Sequence, residues 1–167
     1  VIENVLNGRE GVSIANYNCP GQIVITGEAA AVAEAGTALK EAGARRVLPL
    51  KVSGPFHSPM MRPAGEELAK VFARVSMNPL KIPYVANINA EVITDCGRIE
   101  GLLVEQVSGS VRWQQSVETM IREWVDTFVE IGPGKTLTGF LRKIDKNVKA
   151  YHIGSWEEAV QVCEELK

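Results

Sequence analysis

The chain reads as an α/β protein with a parallel sheet, and three observations predict this. From Met60 onward, short β-branched stretches alternate with amphipathic ones, the pattern of strands joined through helices. Strand-like Asp126 to Ile131 and Val148 to Ile153 flank a helical stretch, which requires a crossover between parallel neighbours. Before Val52 the order differs: two strands and a tight turn, then a helix and a third strand, most of a small ferredoxin-like α+β unit. The expected division is 1–52 for that incomplete small unit and 53–167 for the larger α/β part.

Within the first part, Val1 to Leu6 reads as a helix end stopped at Asn7-Gly8. Val12 to Asn16 and Gln22 to Thr26 read as strands around the turn residues Asn18-Cys19-Pro20-Gly21, hence a hairpin. Gly27 opens a helix through Glu41, stopped at Gly43, and Arg46 to Leu50 is the third strand. In the second part, Leu68, Val71, Phe72 and Val75 give Met60 to Val75 helical spacing. Pro83 to Asn87 is a short buried strand. Ile99 to Val107, Gln114 to Trp124 and Lys135 to Ile144 read as helices, and Ser155 caps a last one to Leu166. The sheet is expected to be covered on both faces.

Composition narrows the function. A hydrophobic content of 46% is enough for a sizeable core. A net charge of −2 offers no field for nucleic acid, and 6% aromatic residues offer no stacking platform. No apolar run is long enough to cross a bilayer, so no membrane role is expected. Cys19, Cys96 and Cys163 are odd in number and far apart, which argues for neither disulfides nor a metal site and suits a reducing cytoplasm. A start at Val1 within a helical pattern is expected of a processed or cut chain.

His57 is the first candidate for chemistry. It lies in Ser53-Gly54-Pro55-Phe56-His57-Ser58-Pro59-Met60-Met61, a loop entering a helix. A neutral imidazole there suits a base acting near neutral pH. A loop histidine also serves as a packing or capping group, and the residues alone leave both open. The nucleophile elbow Gly-x-Ser-x-Gly is absent. Ser13 nearly matches it but lies inside a strand. Cys19 has no neighbouring cation or helix start to make it a thiolate, so no Cys19–His57 pair is expected. Gly132-Pro133-Gly134-Lys135 joins a strand to a helix; it reads as a tight turn, with helix-start amides facing an anion as the alternative. His152 reads as structural. Lys135, Arg142, Lys143, Lys146 and Lys149 form a basic stretch, either a solvated face or a docking surface for an acidic partner.

Four segments in one order resemble the malonyl-CoA:acyl carrier protein transacylase family. They are Asn16-Tyr17-Asn18-Cys19-Pro20-Gly21-Gln22-Ile23-Val24-Ile25, then Gly54-Pro55-Phe56-His57-Ser58-Pro59-Met60-Met61, then Gln106 with Val111-Arg112-Trp113, then Glu130-Ile131-Gly132-Pro133-Gly134-Lys135-Thr136-Leu137. The resemblance spans about Val12 to Ile144. It implies a partial α/β-hydrolase-like acyltransferase domain and a ping-pong transfer of malonyl from coenzyme A to the phosphopantetheine thiol of acyl carrier protein, in fatty-acid biosynthesis. No cofactor is implied, since the coenzyme A thioester is the substrate.

By the same resemblance His57 is the catalytic base and the Gln106 main-chain carbonyl holds it. Phe56 matches the residue of malonyl-selective members, where a ring crowds an α-methyl branch. Asn16 and Asn18 match positions near the cleft. The family's Gly-His-Ser-x-Gly elbow, its carboxylate-gripping arginine and its oxyanion-hole segment have no match here. In family members they lie in the N-terminal half, which is thereby an expected partner, and this chain alone is expected to be inactive. The alternatives are an inactive carrier-binding fragment, or an acyltransferase for another acyl group such as a polyketide acyltransferase domain.

Overall fold

A computed structural model describes residues 1–167. It is a mixed α/β structure of seven helices and six strands in three two-stranded sheets. The chain opens with α1 (Ile2–Leu6), whose C-terminal turn ends at Gly8, a glycine with φ +76°. Next, β1 (Val12–Cys19) and β2 (Gln22–Gly27) pair antiparallel around the two-residue turn Pro20-Gly21. Gly21 has φ +79°, a value glycine adopts without strain. β1 is longer than its alternation suggests, because its register shifts between Ile14 and Asn16 and again between Tyr17 and Cys19. α2 (Ala29–Glu41) follows and lays Ala35 and Leu39 inward, ending before Gly43 at φ +94°.

The expected third strand at Arg46 to Leu50 does not form. Its backbone has no neighbouring strand to exchange hydrogen bonds with, and Leu48 and Leu50 are each 60% exposed. The small unit is therefore a hairpin packed on α1 and α2, short of the ferredoxin-like order.

A 3-10 turn (Pro59–Met61) leads into α3 (Arg62–Phe72), which packs on α4 (Ile99–Ser108). Close approach of these helices is set by Gly65, where a Cβ would lie 3.1 Å from the Val104 carbonyl oxygen. The strand expected at Pro83 to Asn87 is only β3 (Tyr84–Val85). It turns back antiparallel to β4 (Val92–Ile93), because Ala90 takes a left-handed φ of +59° and closes the loop by donating to Ala86. α5 (Trp113–Arg122) rests on β1. β5 (Thr127–Ile131), α6 (Thr136–Ile144) and β6 (Lys149–Ile153) then make the one parallel pair, with α7 (Trp156–Glu165) against β6. Ser155 caps α7 by accepting from the Glu158 amide.

The sizeable core is not what the chain builds. Only 19 of 167 residues are buried, in small separate clusters. One gathers Leu6, Ile14 and Ala35, the other Ala86, Ile93 and Leu102. Ile131 at the end of β5 remains 78% exposed.

One glycine in the hairpin admits a direct test. Gly27 has φ +145°, and a Cβ there would lie 1.9 Å from the Gly11 carbonyl oxygen. Gly27→Ala is expected to cost about 2–3 kcal/mol, read as a lowered denaturant midpoint, whereas Gly8→Ala, with open space around it, should cost less.

Candidate active site

The site is built around the C-terminal end of α4. The last turn of any α-helix has carbonyl oxygens that no amide of the helix reaches. Here His57 comes to them. Its Nδ1 lies 3.0 Å from the Gln106 carbonyl oxygen and 3.2 Å from that of Gly109. Carbonyls only accept, so Nδ1 carries the proton, and the neutral ring keeps its lone pair on Nε2. Orientation by main-chain carbonyls thus does what a carboxylate does in a catalytic triad: it fixes tautomer and aim.

The loop that delivers the ring is strained. His57 has φ +58°, a left-handed conformation that costs a non-glycine residue about 1–2 kcal/mol. It lies between Pro55, which fixes its own φ, and Ser58-Pro59, which starts the 3-10 turn. Phe56 is 49% exposed, its ring on the Gly54 side of the loop.

Residues just after Gln106 connect this loop to the hairpin. The Ser110 hydroxyl donates to the Ile14 carbonyl at 2.6 Å. Val111 donates to Ala15 and accepts from the Tyr17 amide, at 2.7 and 2.9 Å. The register shift in β1 is what turns the Ala15 carbonyl outward, a normal use of a bulge. Arg112 donates to both Asn87 and Ile88 carbonyls, and its guanidinium lies 5.9 Å from the Tyr17 ring centroid. Burial and the Glu3 carboxylate, which accepts from the Tyr17 hydroxyl, raise the Tyr17 pKa, while Arg112 opposes them.

The structure therefore brings His57, Gln106 and the β1 segment with Asn16 onto one frame. Asn16 pairs with Val24 and bridges to Val111, and Asn18 sits at the second register shift. Neither asparagine side chain is hydrogen-bonded to His57. Cys19 is buried with Sγ 3.9 Å from Gln22 Oε1, and Ser13 lies within β1. Two residues escaped the sequence reading. Ser58 is 1% exposed and bonded within the His57 loop, and its signal was the Ser-Pro pair at a helix start. Gly109 supplies the second carbonyl and carried no signal, because a backbone acceptor has none.

The Gly132-Pro133-Gly134-Lys135 loop is a turn and not an open anion site. The Leu137 and Thr138 amides at the start of α6 are taken by the Glu130 carboxylate at 3.0 and 2.7 Å, and the Thr138 hydroxyl donates to it as well. His152 donates from Nε2 to the Gly132 carbonyl at 2.9 Å, while its buried Nδ1 has no hydrogen-bond partner. Arg142 and Lys143 are exposed on α6, with Lys143 Nζ 3.4 Å from Gln22 Oε1. No helix of the chain is long and apolar enough to cross a membrane.

This fold, with a carbonyl-held histidine beside a β-hairpin, coincides with a match to the acyl transferase domain family over residues 1–162, and the chain belongs to that family. Its relatives include malonyl transacylases. It is 42% identical over 156 residues to the malonyl CoA-acyl carrier protein transacylase of Bacillus subtilis (strain 168), covering 93% of this chain and 49% of that protein. The crystal structure of MCAT from Streptococcus pneumoniae superposes with a TM-score of 0.93 at 42% identity, over 99% of this chain and 55% of that one. A malonyl-transacylase solved in complex with its type II PKS acyl-carrier protein superposes at 0.91 and 36% identity, over 98% of this chain and 53% of that one. The chain spans about half the length of the curated relatives it matches.

Glu130 gives this region an acid-dependent stability. Burial opposes its charge, but the Thr138 hydroxyl, the two α6 amides and His152 outweigh that and hold its carboxyl below the usual range. A depressed folded-state pKa stabilises above the unfolded value of roughly 4.3, and that stability is lost as pH falls through the folded value. Glu130→Gln is expected to lower stability by on the order of 1 kcal/mol at neutral pH. In melts from neutral to acid pH its curve should converge with wild type below the carboxylate range. Parallel curves throughout would show that the charge contributes nothing.

Proposed function

We propose that the chain is the histidine-bearing part of a malonyl-CoA:acyl carrier protein transacylase, acting with a serine that lies outside these 167 residues. The observation that carries the reading is the His57 ring, tied at Nδ1 and free at Nε2, in a chain 42% identical to named malonyl transacylases. Nε2 would take the serine proton as Oγ attacks the malonyl thioester, and would return it to the departing coenzyme A sulfur. It would then take the proton of the carrier's phosphopantetheine thiol as that sulfur attacks the acyl-serine, and give it back to the serine oxygen.

In this reading Gln106 acts through its carbonyl. Phe56 crowds an α-methyl branch, an effect of about 1–3 kcal/mol for one methyl group, and so favours malonyl. Asn16 and Asn18 line the substrate side of the hairpin. The larger α/β-hydrolase-like sheet, and the strand that would complete a ferredoxin-like unit beside Arg46 to Leu50, would come from the serine-bearing half. The exposed edge at Ile131 and the unpaired extended segment support that. Reaction in the cytoplasm, in fatty-acid biosynthesis, follows from the same assignment.

The chain alone is expected to transfer no malonyl group to a carrier thiol. Co-expression with the N-terminal half of a malonyl transacylase, which carries the serine, should yield transfer. His57→Ala in that complex should cut the rate about a hundred- to ten-thousand-fold, and Gln106→Ala less than about tenfold, since only its main chain is used. Transfer by a verified single chain, or an unaffected His57→Ala complex, would sink the assignment.

The exposed Arg142 and Lys143 support docking of an acidic carrier on α6. Reversing both to Glu is expected to raise the KM for the carrier and flatten its salt dependence, leaving the KM for malonyl-CoA in place. An unchanged carrier KM would remove this surface from the proposal.

A further inference from the structure

Ser58 is among the most buried side chains of the molecule, although it belongs to a loop beside a half-exposed phenylalanine. Its Oγ donates to the Pro55 carbonyl at 2.7 Å and accepts from the Met60 amide at 3.3 Å. The two bonds have opposite sense and reach to opposite sides of His57, so the hydroxyl closes residues 55–60 into one small ring. Little else spans that turn. Pro55 and Pro59 have no amide proton to give, and the backbone adds the Met61 amide to the Ser58 carbonyl, on one side only.

His57, inside the ring, is left-handed at φ +58°. A non-glycine residue stays there only where its surroundings over-determine it. The direction of the Cα–Cβ bond follows from that backbone, and with it the reach of Nδ1 to the Gln106 and Gly109 carbonyls. Relaxing residue 57 to an ordinary φ swings the side chain away from the end of α4.

We infer that Ser58 is a positioning residue for His57: its hydroxyl holds the left-handed turn that keeps Nδ1 on the α4 carbonyls and Nε2 free. The inference rests on the acyl-transfer reading for its purpose and on hydrogen-bond geometry alone for its content.

The chain has two histidines, and the second is a built-in control. His152 is held by the Gly132 carbonyl at Nε2, remote in sequence from the loop. Nitrogen-15 spectra of the imidazoles, taken well above the ordinary imidazole titration range, report the tautomer of each ring. Wild type is expected to show His57 almost wholly as Nδ1–H. In Ser58→Ala that share is expected to fall below about half, with the His152 signals unmoved. Ser58→Thr, which keeps the hydroxyl, should retain the wild-type His57 pattern.

An unchanged His57 tautomer in Ser58→Ala overturns the inference. So does loss of the His152 pattern along with it, because the hydroxyl would then be holding the fold at large. A Ser58→Thr spectrum like that of Ser58→Ala, with His152 intact, also overturns it. None of these readouts involves acyl transfer. A chain inactive with every serine half would defeat the functional assignment and leave the tautomer result standing, and the reverse also holds.

Discussion

Carbonyl oxygens at the end of α4 find no amide within their own helix, and this chain gives them the Nδ1 proton of His57. The arrangement meets two needs with one contact. It satisfies part of the helix end, which costs free energy if left unmet. It also sets the tautomer of the ring without a buried carboxylate, whose desolvation would have to be offset elsewhere. The rest of the site depends on where α4 stops. Gly109 breaks the helix with extended backbone, and Ser110, Val111 and Arg112 then reach β1 and the loop before β4 within four residues. One short segment therefore sets the histidine loop and the asparagine-bearing hairpin in a common frame.

The same economy recurs at the other polarity. The amino end of α6 exposes amides, and Glu130 from the preceding strand covers two of them with its carboxylate. A positive helix end takes an anion and a negative one takes an imidazole donor, as the helix dipole favours. In both cases the helix end that a ligand would have used is filled by the chain itself. His152 adds a third such contact by reaching the carbonyl of Gly132, so that strand, turn and helix around the glycine-rich loop are held by side chains.

These polar ties matter because the apolar ones are thin. Two small clusters and three two-stranded sheets leave Leu48, Leu50, Val52 and Ile131 facing outward. A chain of this apolar content usually buries more. Solved relatives of nearly twice the covered length share the same backbone path over this chain.

Much of the fold was legible in the residues. Helices α2, α4, α5, α6 and α7, the hairpin and the parallel β5–β6 pair all follow from local periodicity and from stops such as Gly43 and Gly132-Pro133-Gly134. These are properties of a few consecutive side chains, so sequence alone determines them. The strand at Arg46 to Leu50 failed because an apolar stretch becomes a strand only beside another strand, and that is a fact about space. His57 itself, and its family, were marked by residue type and order. What only the tertiary structure decided is which distant groups meet: the Gly109 carbonyl for His57, beside that of Gln106 which the family resemblance implied, and Glu130 for the α6 amides. Backbone carbonyls and amides are the same at every residue, so no pattern of side chains reveals which of them a fold will bring within three ångströms of a histidine.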